Sequence, residues 1–163
     1  RVAVLANSLN PLNRVNLDTA RRAAQKLSVR IEIFEVRNSQ EVSDALRRLV
    51  EARPDAALLA SDTLLLGQRQ QIAEAMAKHK IPAIYPFREY SEVGGFISYG
   101  ADLSNLFRSA AEYVARILKG ERPGDLPVQQ ATSFEIILNL KTAASLGLTI
   151  PPVVLLRADE VIE

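Results

Sequence analysis

Short apolar runs alternate along this chain with longer stretches in which apolar residues recur every three or four positions. The first run, Val2 to Ala6, is continuous and reads as a buried strand. Asn7 to Asn13 is rich in turn formers, and residues 14–27 then carry Leu17, Ala20, Ala24 and Leu27 on one helical face. Val29 to Val36 reads as a second strand. Asn38 with Glu41 three residues later forms a capping box for a helix bearing Val42, Ala45, Leu46, Leu49 and Val50, which stops before Pro54. Ala56 to Ala60 is a third strand, followed by Ser61-Asp62-Thr63 and a helix over about 64–79 with Ile72, Ala73, Met76 and Ala77 inward. Pro82 to Tyr85 and Phe96 to Tyr99 supply two further strands, the latter introduced by Gly94-Gly95. Continuous apolar strands separated by helices are buried on both faces, so the pattern predicts a three-layer α/β fold. Its sheet is doubly wound and mainly parallel, in the order 2-1-3-4-5.

The last third leaves this repeat. Asp102 caps a strongly amphipathic helix with Leu103, Leu106, Phe107, Ala110, Val114, Ile117 and Leu118 on one stripe, ended by Gly120. Glu121 to Pro127 reads as a polar linker. Phe134 to Asn139 is another strand and Lys141 to Leu146 a short helix stopped by Gly147. Pro151-Pro152 precedes a tail, Val153 to Glu163.

Composition narrows the function. The chain has 163 residues, 48% hydrophobic and 24% charged, with a net charge of +1. That is ordinary globular composition, with enough length for a sizeable core and no charge excess that calls for nucleic acid. Having no cysteine, it forms no disulfide, zinc–thiolate site, iron–sulfur cluster or cysteine nucleophile. No apolar run reaches the roughly 18 residues of a membrane span. It shows neither an initiator Met nor a signal peptide, and Arg1 leads directly into an apolar strand; a fragment of a longer protein is the expectation.

In an open doubly wound sheet, ligands bind beyond the carboxyl ends of the strands, where the strand order reverses. Three segments meet there: Asn7 to Asn13, Ser61-Asp62-Thr63, and Tyr85 to Tyr90. Their backbone N–H groups and hydroxyls suit a carboxylate, Asp62 an amine, and Tyr85 or Phe87 an apolar body. Plainer readings stand beside these. Asn7 and Asn13 are ordinary turn and cap residues, Ser61 and Asp62 cap the following helix, and Tyr85 and Tyr99 sit on the rim of the core. Arg88 with Glu89 reads as a surface pair, and Gly94-Gly95 as a turn. Catalytic motifs are missing. The loop after the first strand has no glycine, so it offers no dinucleotide cradle, and neither a P-loop nor a G-x-S-x-G elbow occurs. The single histidine, His79, lies at a helix C-terminus between two lysines. No catalytic residue, metal ligand or cofactor is assigned, and the chain is not expected to be an enzyme.

The run Pro82-Ala83-Ile84-Tyr85-Pro86-Phe87-Arg88-Glu89-Tyr90, followed by Gly94-Gly95-Phe96-Ile97-Ser98-Tyr99-Gly100, resembles the ABC-transporter substrate-binding family related to tryptophan-binding proteins. So do Ile117 to Pro123, Asp125 to Gln129, Asn139 to Ala144, Gly147 to Pro152 and Leu155 to Glu163. The resemblance covers essentially the whole chain. It implies a class I periplasmic-binding-protein fold, in which two α/β lobes joined by three crossings hold a ligand between them. The chain resembles the carboxyl-terminal portion. Residues 1–100 would be a ligand-binding lobe, 101–127 a helix and linker crossing to the other lobe, and 128–163 a closing strand, short helix and tail. By matching position, the ligand-facing candidates are Asn7, Ser8, Ser61, Asp62, Thr63 and Tyr85, with Phe87 and Tyr99 behind them. Ser8 stands where the family commonly has proline, and Pro86 where a small residue is frequent. The implied role is capture of an amino acid or similar small solute for an ABC importer. The implied partner is a membrane permease and the implied location the periplasm or cell surface. The alternative is the effector-binding domain of a transcription regulator with the same fold. Helix 102–119 is expected to pack on the other lobe; in the fragment alone it would fold back or exchange in a domain-swapped homodimer.

Overall fold

The computed structural model describes residues 1–131 and 133–163. One seven-stranded sheet runs in the order β2-β1-β3-β4-β5-β6-β7. The first five strands, β1 (Val2–Asn7), β2 (Ile31–Val36), β3 (Ala56–Leu59), β4 (Ala83–Tyr85) and β5 (Ile97–Ala101), are parallel, in the expected 2-1-3-4-5 order. Val2 pairs with both Ile31 and Ala56, so β1 lies between its two successors and the strand order reverses there. β6 (Phe134–Asn139) then runs antiparallel to β5, with Ser98 opposite Ile137, and β7 (Glu160–Ile162) is parallel to β6.

Helices cover both faces. On one side Leu17 of α1 (Pro11–Lys26) packs over Val4 and Ala6, with Ile31, Ile33 and Leu58 around them. On the other lie α2 (Ser39–Glu51), α3 (Thr63–Gly67), α4 (Arg69–Lys78) and α5 (Arg88–Glu92). They bury Leu49, Leu65, Ile72, Met76 and Tyr90 against Leu5, Val36, Leu59 and Tyr85. This distribution follows from right-handed crossovers on a sheet that steps first one way and then the other.

Several boundaries depart from the periodicity. α1 begins at Pro11, because Asn10 caps it by accepting the Leu12 N–H and proline suits the first helical position. β2 begins at Ile31, because Ser28 and Val29 close the end of α1 onto Gln25 and Ala24. This leaves Leu27 exposed rather than on the buried face. The helix expected over 64–79 is two helices broken at Gln68, and Ala77 is only half-buried. α5, α8 (Pro152–Leu155) and β7 were not legible: each is too short to show a period.

The remaining helices are α6 (Leu103–Leu118) and α7 (Leu140–Leu146). α6 is capped by Asp102, which accepts the Asn105 N–H, and carries the expected apolar stripe. None of its residues is buried, and Phe107 and Leu118 stand 75% and 82% exposed. Hydrogen bonds tie it and its cap to the segment that returns to the sheet. The Asp102 N–H donates to the Ser133 carbonyl at 3.1 Å, and the Tyr113 hydroxyl donates to the Pro127 carbonyl in the return segment. No helix among the described residues is long and apolar enough to cross a membrane.

Candidate functional site

The reversal between β1 and β3 brings the loop after β1 beside the loop after β3. Asn7, the last residue of β1, accepts the Leu9 N–H at 2.9 Å, and Asn10 accepts the Leu12 N–H at 3.0 Å, so two successive Asx turns shape the segment. Their amide groups both turn toward Asp62. Asn7 Nδ2 donates to the two carboxylate oxygens at 3.3 and 3.2 Å, and Asn10 Nδ2 donates to Oδ2 at 2.7 Å. Asp62 also caps α3, its Oδ1 accepting the N–H groups of Leu64 at 2.8 Å and Leu65 at 3.4 Å. From beneath, buried Asn13 donates to the Asn7 carbonyl at 3.2 Å.

The capping reading of Asp62 is the one that the structure bears out. Asp62 is 6% exposed and both of its oxygens are engaged by the protein's own donors. As the residue before α3, its side chain turns back onto the helix's first N–H groups instead of out toward solvent. The neighbouring hydroxyls behave oppositely. Ser8, Ser61 and Thr63 are exposed, and none makes a side-chain hydrogen bond to another described residue.

The aromatic candidates separate. Tyr85 ends β4 on the face covered by several helices. Its ring is 1% exposed and stacks on Tyr90 with centroids 4.6 Å apart. Burial pushes both phenols far above their usual range, so both remain neutral. Tyr85 is thus packed within the core. Phe87 is half-buried and packs against the same core. Tyr99 lies on the opposite sheet face, exposed, 6.0 Å from the ring of Phe134 on β6, and is not gathered with the loop residues.

Two glycines fit these strands to the site. A Cβ on Gly95 would sit 2.7 Å from the Tyr90 carbonyl oxygen and 2.8 Å from the Tyr85 ring, so the Tyr85–Tyr90 stack requires glycine there. On Gly100 it would sit 1.9 Å from the Pro86 carbonyl oxygen, so β5 can pass the loop after β4 only without a side chain. Arg88 does not pair with its neighbour Glu89. It reaches Glu92 at 3.4 Å, Glu135 on β6 at 3.1 Å and Glu160 on β7 at 2.7 Å, tying α5 to the last two strands. Burial pushes the Glu135 carboxyl up; Arg88 pulls it down, and Asp102, Glu160 and Asp159 push it up again.

Asn10 is the residue that sequence reasoning passed over. Its signal was the three-residue spacing of Asn7, Asn10 and Asn13, which repeats one short polar group through a loop and into the first helical turn. Around it, Leu9, Leu12 and Val15 are all exposed. The corner that carries the polar network is thus also an uncovered apolar surface.

The chain and its fold have matches among known proteins. The family described as ABC transporter substrate binding protein matches residues 1–162. The tyrosine-binding protein of Clostridioides difficile (strain R20291) is 24% identical over 148 residues, 91% of this chain and 43% of that protein. A Streptococcus pneumoniae domain crystallised in complex with L-Trp superposes with a TM-score of 0.89 at 25% identity, covering 99% of this chain and 56% of that one. A conserved domain protein from Vibrio cholerae superposes with a TM-score of 0.90 at 27% identity, covering 98% and 54%. The chain spans about half the length of the relatives it matches. It belongs to the ABC transporter substrate-binding protein family.

Proposed function

We propose that this chain is the carboxyl-terminal lobe, with its return segments, of a two-lobed solute-binding protein that supplies an ABC importer. Residues 1–100 form the lobe, 101–127 cross to the partner lobe and 128–163 close the sheet. The observation that carries this reading is α6: a strongly amphipathic helix, held out on two adjacent strands, with no residue buried. A stripe of this kind is stabilising only when another surface covers it. The matched relatives are about twice as long as this chain, enough for a second lobe.

The ligand is an amino acid or a similar small polar solute, taken between the lobes. On this side the wall is built by Asn7 and Ser8 and by Ser61, Asp62 and Thr63. The exposed hydroxyls of Ser8, Ser61 and Thr63 supply direct hydrogen bonds. The Asp62 carboxylate lies just beneath and is without a salt-bridge partner among the described residues. It gives the wall a negative potential that favours a ligand's ammonium group. The relatives named for tyrosine and found with L-Trp support an amino acid with an aromatic side chain. Binding that bridges two lobes selects the closed arrangement, and closure is what a membrane permease recognises. A location in the periplasm or at the cell surface goes with this role. The reading is capture and release, with no bond made or broken.

Calorimetric titration of the full-length protein with L-tyrosine and L-tryptophan tests this. Saturable binding is expected for the whole protein and little or none for residues 1–163 alone. Absence of binding by the whole protein, or equal affinity for both forms, would overturn the two-lobe reading.

A further inference from the structure

We propose that Asp62 is a positioning residue: its carboxylate holds the Asn7–Asn10 segment in the shape that a ligand meets, without touching the ligand itself. This rests on the reading above that the two loops form half of a binding cleft.

The segment has few other anchors. Leu9 and Leu12 are exposed and hold nothing in the core. The Ser8 N–H donates to the Val36 carbonyl at 3.0 Å, and Asn13 holds the Asn7 carbonyl. Asn7 also pairs with Val36 in the sheet, and the Asn10 carbonyl accepts the Asn13 N–H at 3.0 Å. Across to the loop after β3, the side-chain bonds of the segment are the amide–carboxylate bonds from Asn7 and Asn10. Bonds of this kind are charge-assisted and stronger than neutral ones. The same carboxylate fixes the first turn of α3, so one side chain sets the spacing between Ser8 on one loop and Ser61 and Thr63 on the other. Its oxygens accept from four separate donors, and 6% exposure leaves little surface for a fifth.

A carboxylate is required because every group facing it donates. Asp62→Asn keeps one oxygen, enough for the α3 cap, but turns an NH2 group toward the NH2 groups of Asn7 and Asn10. Asn10→Asp sets two carboxylates against each other. Combining the two exchanges donor and acceptor. The amide introduced at position 62 then donates to the carboxylate introduced at position 10, whose second oxygen still accepts the Leu12 N–H. The bond between the loops returns, while the negative charge has moved from one loop to the other.

The test is binding of L-tyrosine and L-tryptophan to the full-length protein and to Asp62→Asn, Asn10→Asp and the double variant, well below each unfolding midpoint. Each single variant is expected to weaken binding about tenfold or more, the cost of an unmet buried polar contact, and the double variant to recover to within a few-fold of the parent. Loss in Asp62→Asn with no recovery in the double variant would show direct contact with the ligand and overturn the proposal. Hydrogen exchange at the Leu9 and Leu12 amides gives a second readout that needs no ligand. Asp62→Asn should speed their exchange about tenfold while leaving Leu5 unchanged, and unaltered exchange would overturn the proposal. If the parent protein binds neither amino acid, the binding reading fails by itself, and the exchange measurement still decides the role of Asp62.

Discussion

α2 and α6 are built to the same specification and meet opposite fates. Each opens on a side-chain cap, Asn38 or Asp102, and each carries an apolar stripe. α2 sinks Val42, Ala45, Leu46 and Leu49 into the sheet, whereas α6 buries nothing. Amphipathicity therefore specifies a helix and a face but not what the face meets. In α2 each buried aliphatic side chain is worth about 1.5–3 kcal/mol. In α6 the same chemistry leaves every residue at least partly exposed.

The largest expected effects contrast the two regions directly. Gly100→Ala drives a methyl group into the Pro86 carbonyl and should cost about 3 kcal/mol or more in urea unfolding. Gly124→Ala, in the return segment with open space around it, should be close to neutral. Equal effects at the two glycines would mean that the lobe and the excursion are not separately packed. Next in size, Leu49→Ala should cost about 2–5 kcal/mol, the loss of a fully buried leucine. Phe107→Ala on α6 should change the stability of residues 1–163 by less than about 0.5 kcal/mol. A loss at Phe107 approaching that at Leu49 would show that the stripe is covered within this chain.

Smaller effects sharpen the same contrast at the junction. The Glu135 carboxyl is raised above its ordinary 4.5, chiefly by burial. A carboxyl raised in the folded state helps most when protonated. Its contribution is complete below the unfolded value and is lost as pH rises through the higher folded one. At neutral pH, Glu135→Gln should thus be neutral or stabilising by less than about 1 kcal/mol, with the gain fading as pH falls through the raised folded value and gone below about pH 4.5. A clear loss at pH 7 would mean that the Arg88 contact outweighs desolvation. Smallest of all, Ser28 and Lys80 hold left-handed backbone, with φ of 54° at each, just past the ends of α1 and α4. α6 places Gly120 at the equivalent point. Replacing either residue by glycine should raise the melting point, by up to about 1 kcal/mol of stability.

The parallel half of the sheet was legible because buried strands and amphipathic helices repeat along it in order. Elements decided by tertiary contact were not. The break at Gln68 comes inside one apolar pattern, and β7 exists because β6 offers its edge. The site divides in the same way. Asn7 and Asp62 were visible one at a time, but 55 positions separate them, and no local pattern shows that they answer each other. The burial of Tyr85 was not legible for a related reason. Alternation puts Ala83 and Tyr85 on one face of β4 and Ile84 on the other, but which face the helices cover depends on the direction in which the sheet is wound.

The antiparallel step from β5 to β6 has a topological consequence. It places the point where the chain leaves the sheet and the point where it returns one backbone hydrogen bond apart, at Asp102 and Ser133. Everything between them is formally an insertion: a guest segment joined to its host through a single doorway. Exchange or redesign of that segment therefore asks little of the host beyond keeping the two door-posts together.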